Sequence, residues 1–348
     1  ILFGFTKSPS MCAAALILCV WGQGAHALEV TFRPVQDAAL EPALRASSLL
    51  VEVAEQTPAA GAIDILSAAG ADYARLLGVL YAGGYFGARV GITLDGLEAA
   101  SIAALPRAAV HRAVIDIDTG PLFVFGALDI AHLHPSSMLP DEFQAGAIAD
   151  VAVLRDAAQI AVTAWQDNGH AKARIASQDL VARHGSAQLD VDVNIAPGPV
   201  LTFGALKVVG NEAVRTRRVR QIAGLPTGRI YSPEEQELAE TRLRRTGAFQ
   251  SVSLTQAAKT GPQDSLDIIA AVSEAKPRRF GFGAEVSSTE GATLSGYWLH
   301  RNLLGGAERL RVEGEIKGIA GDTGGEDDRI SGNFERPATG NEDTNFCA

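Results

Sequence analysis

The sequence predicts an α+β array: three tandem βααββ modules, then the first strands of an incomplete antiparallel transmembrane β-barrel. Three observations predict it. One phrase recurs at a fixed offset, GPLFVFGAL from Gly120 to Leu128 and GPVLTFGAL from Gly198 to Leu206, 78 residues apart (198 − 120). Around each phrase the hydrophobic period changes between helical and alternating. After Pro277 only alternating runs of roughly ten residues follow.

The elements justify this in order. Residues 1–27 read as an export signal: Lys7 supplies positive charge, Met11–Trp21 is a short apolar run, and Ala25-His26-Ala27 fits a small-x-small cleavage site. Leu18 before Cys19 does not suit lipid attachment. Cys12 and Cys19 fall within the signal and Cys347 stands alone, so the exported body is expected to rely on its cores without disulfides.

The first module is assigned residues 28–121. Tyr73, Leu76, Leu77, Leu80 and Tyr81 form a helical stripe ended by Gly83-Gly84, and YFGARVGITL and VHRAVIDIDTG read as paired strands. The second module takes 122–199. Leu154, Ala158, Ala161, Val162 and Trp165 share one helical face, Gly169 stops the helix, and HAKARIASQDL is a strand. In the next strand Leu189, Val191, Val193 and Ile195 alternate with Asp190, Asp192 and Asn194, which marks a sheet buried on one face.

The third module takes 200–277. It opens with a strand, turns at Asn211 and enters a short helix. SPEE at Ser232–Glu235 predicts a capping box with proline at the first helical position, and Leu238, Ala239 and Leu243 predict the apolar stripe. AFQSVSLTQ and SLDIIAAVSEA follow as strands. Pro121, Pro199 and Pro277 keep the 78-residue step.

Residues 278–348 alternate. Phe280, Phe282, Ala284 and Val286 face opposite to Gly281, Gly283 and Glu285; Leu310, Val312 and Ile316 face opposite to Arg309, Arg311, Glu313 and Glu315. An apolar face for lipid and a polar face for a lumen are what a transmembrane barrel strand needs, and Trp298 suits an interfacial position. RNLLGG makes a short turn on one side, and IAGDTGGEDD a longer loop on the other. These residues suffice for about four strands where a barrel needs at least eight, so the chain is expected to be a fragment; it also begins without Met. NEDTNFCA at the end shows no strand pattern and could be a foreign tail.

Modules of this order, with GxxxFGALxVxGNxAV at Gly198–Val214 and GxxYSPEExExAxxRLRxxGxFxxV at Gly228–Val252, resemble POTRA domains, the periplasmic modules of outer-membrane assembly factors. GYWLHRNLLGGAERLRVEGE resembles the first hairpins of the barrel in that superfamily. Three modules resemble its TamA branch, the translocation and assembly module. The resemblance implies that the middle strand of each module (Phe86–Leu94, His170–Leu180, Ala248–Gln256) lies at a sheet edge and receives unfolded outer-membrane client proteins. Phe86, Arg89, Val90, Ile92, Phe249, Val252 and Leu254 are its candidate contacts. It further implies a TamB-like inner-membrane-anchored periplasmic partner, an outer-membrane location with the array in the periplasm, and a barrel seam beginning at Phe280, Phe282 and Val286.

Composition narrows the remainder. A net charge of −10 argues against nucleic acid. Leu206–Gln250 nevertheless holds nine Lys/Arg against five Glu, with Arg215, Arg217, Arg218 and Arg220 together. That cluster is either a solvated helix face or a patch for anionic outer-membrane lipid. No G-x-S-x-G, H-E-x-x-H, C-x-x-C or phosphate loop occurs, so neither an enzyme nor a cofactor is expected. His132-x-His134 lacks a nearby third ligand and reads as a turn rather than a metal site. Asp116 and Asp118 read as the wet side of a sheet rather than an acid–base pair. A secretion pore for one dedicated client would show two modules and a plug helix, and no such helix is read between Leu28 and Thr57. A soluble periplasmic scaffold would use the last strands as an ordinary sheet.

Overall fold

A computed structural model describes residues 28–55, 61–102, 109–288, 291–319 and 327–348; the leader read from residues 1–27 and most of the loop read at 319–328 lie outside them. The chain divides into two compact units, one ending at Phe123 and one beginning at Val124.

The first unit contains β1 (Glu29–Phe32), α1 (Glu41–Ser47), α2 (Leu49–Ala54), α3 (Ala62–Ala82), β2 (Arg89–Leu94), β3 (Leu97–Glu98) and β4 (Arg112–Asp118). Its sheet order is β1-β4-β2-β3, with β1 parallel and β2 antiparallel to β4. The helices bury Leu44, Leu50, Ile65, Leu76 and Leu80 against Ile92 and Ile115. The apolar face of α3 is interrupted by Asp72, which is fully buried. Its carboxylate accepts from Ser48 Oγ at 2.6 Å and from the N–H groups of Leu49 (2.7 Å) and Leu50 (3.0 Å). Those amides open α2 and would otherwise be orphaned in the core, so one buried charge fixes two helices. On the wet face Asp116 meets Arg33 at 2.7 Å and Asp118 accepts from the Gly120 N–H, which makes both of them structural.

The second unit starts with β5 (Val124–Ala131), α4 (Val151–Asp167), β6 (Arg174–Arg183) and β7 (Gln188–Ala196), in sheet order β5-β7-β6. The alternation read in β7 holds, with Leu189, Val191, Val193 and Ile195 buried. One expectation fails here: no helix forms between β5 and α4, where residues 132–150 run through turns. Pro135 and Pro140 remove amide donors and His132 adopts φ 62°, so an α-helical ladder cannot propagate. The two histidines instead pack around the end of α4. Trp165 donates its indole N–H to the His132 carbonyl at 2.7 Å, and its ring meets those of His134 and His170 at 4.7 Å.

Next come β8 (Thr202–Val209), α5 (Thr216–Ala223), α6 (Pro233–Arg245), β9 (Phe249–Gln256) and β10 (Ser265–Glu274), in order β8-β10-β9. Here both helices form. The start of α6 is as read, but Ser232 makes no side-chain cap bond, so the capping box does not close; Pro233, with φ preset and no amide to satisfy, begins the helix. Leu238 is exposed, and Arg242 takes a place on the buried face beside Ala239 and Leu243.

The recurring Phe-Gly-Ala-Leu has a structural cause. In both copies the parallel pairing slips one step, between Phe125 and Leu128 and between Leu266 and Ile268. At the slip the N–H groups of Ala127 and Ala205 donate to Asp190 and Asp267 at 2.9 and 2.8 Å. A Cβ on Gly126 or Gly204 would stand 2.3 or 2.4 Å from those same carboxylates. The phrase therefore encodes a β-bulge whose loose amide is satisfied by an aspartate two strands later in the sequence. Lys207, then the Ala205 amide, hold the Asp267 carboxyl below its usual range.

The unit ends in an antiparallel meander, β11 (Arg278–Ser287), β12 (Gly291–Arg301), β13 (Arg309–Ile319), β14 (Asp327–Arg336) and β15 (Phe346–Cys347), paired in that order and open among the described residues. The tail corrects its own reading: Phe346 and Cys347 pair with Arg336 and Glu335 after a reversal at Gly340, φ 93°. The strand is too short to show a period.

Candidate functional site

Three surfaces carry functional potential: the sheet edges, the apolar face of the meander, and the junction of α5 and α6 with its turns.

The middle strands β6 and β9 are the edges of their sheets, whereas β2 is interior, flanked by β4 and by the two-residue β3. The edges differ in their chemistry. On β9, Gln236 Nε2 donates to the Leu254 carbonyl at 3.0 Å, Glu240 accepts the Leu254 N–H at 3.2 Å, and Arg244 Nη2 reaches the Val252 carbonyl at 3.3 Å. These three side chains sit at four-residue steps on α6 and form a polar ladder along the edge. On β2, the Ile92 N–H donates to Glu98 and the Ile92 carbonyl accepts from Tyr73 Oη, while β3 pairs with Thr93 and Leu94. Burial, then the bond to Glu98, raises the Tyr73 phenol above its usual range. By contrast, no side chain bonds to the backbone of β6 among the described residues. That strand is ten residues long, and Ile175, Leu180 and Val181 are exposed on it. It is the bare edge.

The predicted contact residues are distributed unevenly. Phe249, Val252 and Leu254 are buried in the core of their module, and Ile92 in its own, so these side chains cannot meet a partner; only Arg89 of the set is well exposed, with Phe86 and Val90 half-buried. Strand residues alternate, and the apolar ones that drew notice face inward. The guarding residues were missed. The spacing of Gln236, Glu240 and Arg244 along one helical face was the available signal.

Across the meander the registers align most of the apolar residues on one face, while Leu299, paired with Arg279 and Arg311, is buried on the other. Phe280 pairs with Trp298 and Trp298 with Val312; Ala284 pairs with Leu294 and Leu294 with Ile316; Gly314 faces Ile330. Phe282, Val286 and Ile330 are 88 %, 83 % and 82 % exposed. The other face is polar and concave, a hollow of about 690 Å³ bordered by Tyr297, Arg311, Glu313, Glu315 and Arg329. Gly281 belongs here because a Cβ would stand 2.2 Å from the Tyr297 ring, on which the Arg311 guanidinium stacks at 4.2 Å. The Phe280, Phe282 and Val286 side chains thus lie on the apolar face of the edge strand β11. Among the described residues no helix is long and apolar enough to cross a membrane.

At the junction the four clustered arginines have separate roles. Arg218 is buried and donates to the carbonyls of Gly306 (3.4 Å) and Pro337 (2.6 Å). Arg215 donates to the Gly305 carbonyl at 3.1 Å, and Arg220 turns back to the Leu206 carbonyl at 2.9 Å. Arg217 is exposed. Arg242 clasps Asp343 through two bonds of 2.7 and 2.8 Å, which hold its guanidinium above, and the Asp343 carboxyl below, their usual ranges. Two strand-to-strand turns are thereby fastened to the helices of the preceding module. A solvated helix face does not describe Arg218.

Residues 201–275 match the family model for POTRA, "Surface antigen variable number repeat". Among solved structures the chain is similar to BamA from Haemophilus ducreyi lacking POTRA domains 1–3, at 18 % identity and TM-score 0.50, over 62 % of this chain and 40 % of that one. It is also similar to BamA POTRA3–5 of Haemophilus influenzae (17 % identity, TM-score 0.49, 72 % and 96 % covered) and to CdiB from Escherichia coli (14 %, 0.33, 63 % and 40 %). The first likeness is one of fold, and this chain spans well under half the length of that structure. Among curated proteins none matches this chain.

Proposed function

We propose that this POTRA-containing chain is the periplasmic array and leading barrel strands of an outer-membrane factor that receives unfolded client polypeptides and promotes their insertion or secretion. One observation carries the reading: the register-aligned apolar face of an open meander whose opposite face is polar, fastened directly to a POTRA module. In water such a face is costly, at about 25 cal/mol per Å² of apolar surface. In a bilayer it is the expected exterior of a barrel wall. The three-module count favours a TamA-like role in autotransporter assembly with a TamB-like partner. Fractionation of the whole factor, with its barrel closed, tests the location: it is expected in the outer membrane and resistant to urea and high salt. Release by urea would leave the soluble scaffold as the better reading.

Client strands add to β6 in this proposal, since its backbone edge is bare while β2 and β9 are occupied by their own side chains. A photo-crosslinker at Leu180 is expected to capture an unfolded outer-membrane client several-fold more than one at Ser253 on β9. Equal capture would show that the polar ladder does not select the edge.

A further inference from the structure

We propose that Arg215, Arg217, Arg218 and Arg336 form a binding site for a phosphate-bearing anion. They line a cleft of about 480 Å³ where the end of β14 meets α5, closed on one side by Thr339 and Gly340. Arg336 comes from the opposite end of the unit's sequence and was not part of the cluster legible in the chain. Among the described residues no carboxylate makes an ion pair with Arg215, Arg217 or Arg336, although the protein as a whole is acidic. The buried Glu308 lies near Arg218, but its carboxylate is already engaged by the N–H groups of Leu304 and Gly306. Four cations against one occupied anion leave the cleft strongly positive.

The donors are also arranged. Arg215 is pinned through Nε to the Gly305 carbonyl and keeps its Nη groups to offer, whereas Arg218 is held by the carbonyls of Gly306 and Pro337 and by Gln221 Oε1 and lends the cleft mainly its charge. Arg217 and Arg336 have no partner of their own among the described residues and are free to close over a ligand. Planar forks converging on one hollow match tetrahedral oxyanions in geometry as well as charge. Burial, followed by the charges of Arg336 and Arg215, lowers the Arg218 guanidinium below its usual range, in keeping with a charge the site does not itself neutralise. The shared chemistry is a phosphate group, borne either by a membrane headgroup or by a small soluble anion. This site stands independently of where clients bind.

The full chain, with vesicles of phosphatidylglycerol or of phosphatidylcholine and with inorganic phosphate in calorimetric titration, provides the test. Arg217→Gln with Arg336→Gln removes charge without breaking a side-chain hydrogen bond or ion pair among the described residues. It is expected to lower the phosphatidylglycerol-to-phosphatidylcholine partition ratio roughly 25-fold, about fivefold for each arginine near a charged surface. Arg155→Gln with Arg174→Gln, on the second module, is the control. Loss confined to the cleft pair, with no heat from inorganic phosphate, assigns the site to a headgroup. Saturable phosphate binding that the cleft pair abolishes assigns it to a soluble anion. Equal loss in both pairs, an unchanged ratio in the cleft pair, or no binding of either probe would each overturn the proposal.

Discussion

Gly210→Ala is expected to destabilise the third module by at least about 3 kcal/mol, enough to unfold a marginally stable domain. Gly210 sits where β8 ends, at φ 88°, a conformation that carries roughly 1–3 kcal/mol of strain for a residue with a side chain. Strain is the smaller part. An added Cβ would stand 2.2 Å from the carbonyl oxygen of Val272, which belongs to the central strand β10 and cannot withdraw without breaking the ladder on either side. The same loop is held by Glu274, whose carboxylate accepts from the N–H groups of Glu212, Ala213 and Val214 at 2.8–3.0 Å, so the backbone cannot relax outward either. Gly228 is the internal control: its φ is 83°, yet nothing lies within 4 Å of an added Cβ. Gly228→Ala should cost only about 1 kcal/mol. Denaturant unfolding of both variants measures the difference. Equal losses would mean that left-handed strain, rather than the approach of β10, decides the site.

That contrast also shows what the sequence could and could not convey. The 78-residue recurrence, the strands and the stops at Gly169 and Gly247 were legible because each rests on local chemistry: a period of two, or a glycine able to adopt positive φ. The Phe-Gly-Ala-Leu phrase was visible as a repeat, but its cause was not, since the aspartate that satisfies the bulge lies about sixty residues away. The missing helix after β5 could have been suspected from Pro135 and Pro140. Symmetry between copies argued the other way, and local chemistry prevailed. Apolar residues on the edge strands drew attention that belonged to their polar guards, because hydrophobic pattern reports the core more faithfully than the surface. Arg218 illustrates the same limit. Four arginines in six positions look alike in a sequence, and only tertiary structure separates one that is buried from one that waits in solvent.

Arg218→Met is expected to loosen the junction by about 3–5 kcal/mol. The substitution keeps side-chain bulk but orphans the carbonyls of Gly306 and Pro337, and it deprives the buried Glu308 of its nearest cation. The cost then comes mainly from what is left behind, so removing the second charge should return part of it. Arg218→Met with Glu308→Gln is expected to be more stable than the sum of the two single variants by more than about 1 kcal/mol, the coupling seen for groups in contact. Glu308 also sets the pH response. Burial alone would raise its carboxyl, but the N–H groups of Glu308, Gly306 and Leu304 and the charge of Arg218 together hold it below the ordinary 4.5. A carboxyl depressed on folding contributes stability above its unfolded value, and that contribution is lost as pH falls through the folded one. The wild-type junction should therefore weaken as pH drops below about 4.5, while Glu308→Gln should be flatter over the same window. Hydrogen exchange of the 302–308 and 337–345 turns reads this directly, because both turns are fastened by the bonds in question. Protection that is unchanged in Arg218→Met, or that falls with acid as steeply in Glu308→Gln as in the wild type, would place the fastening elsewhere, with the Arg242–Asp343 clasp as the remaining candidate.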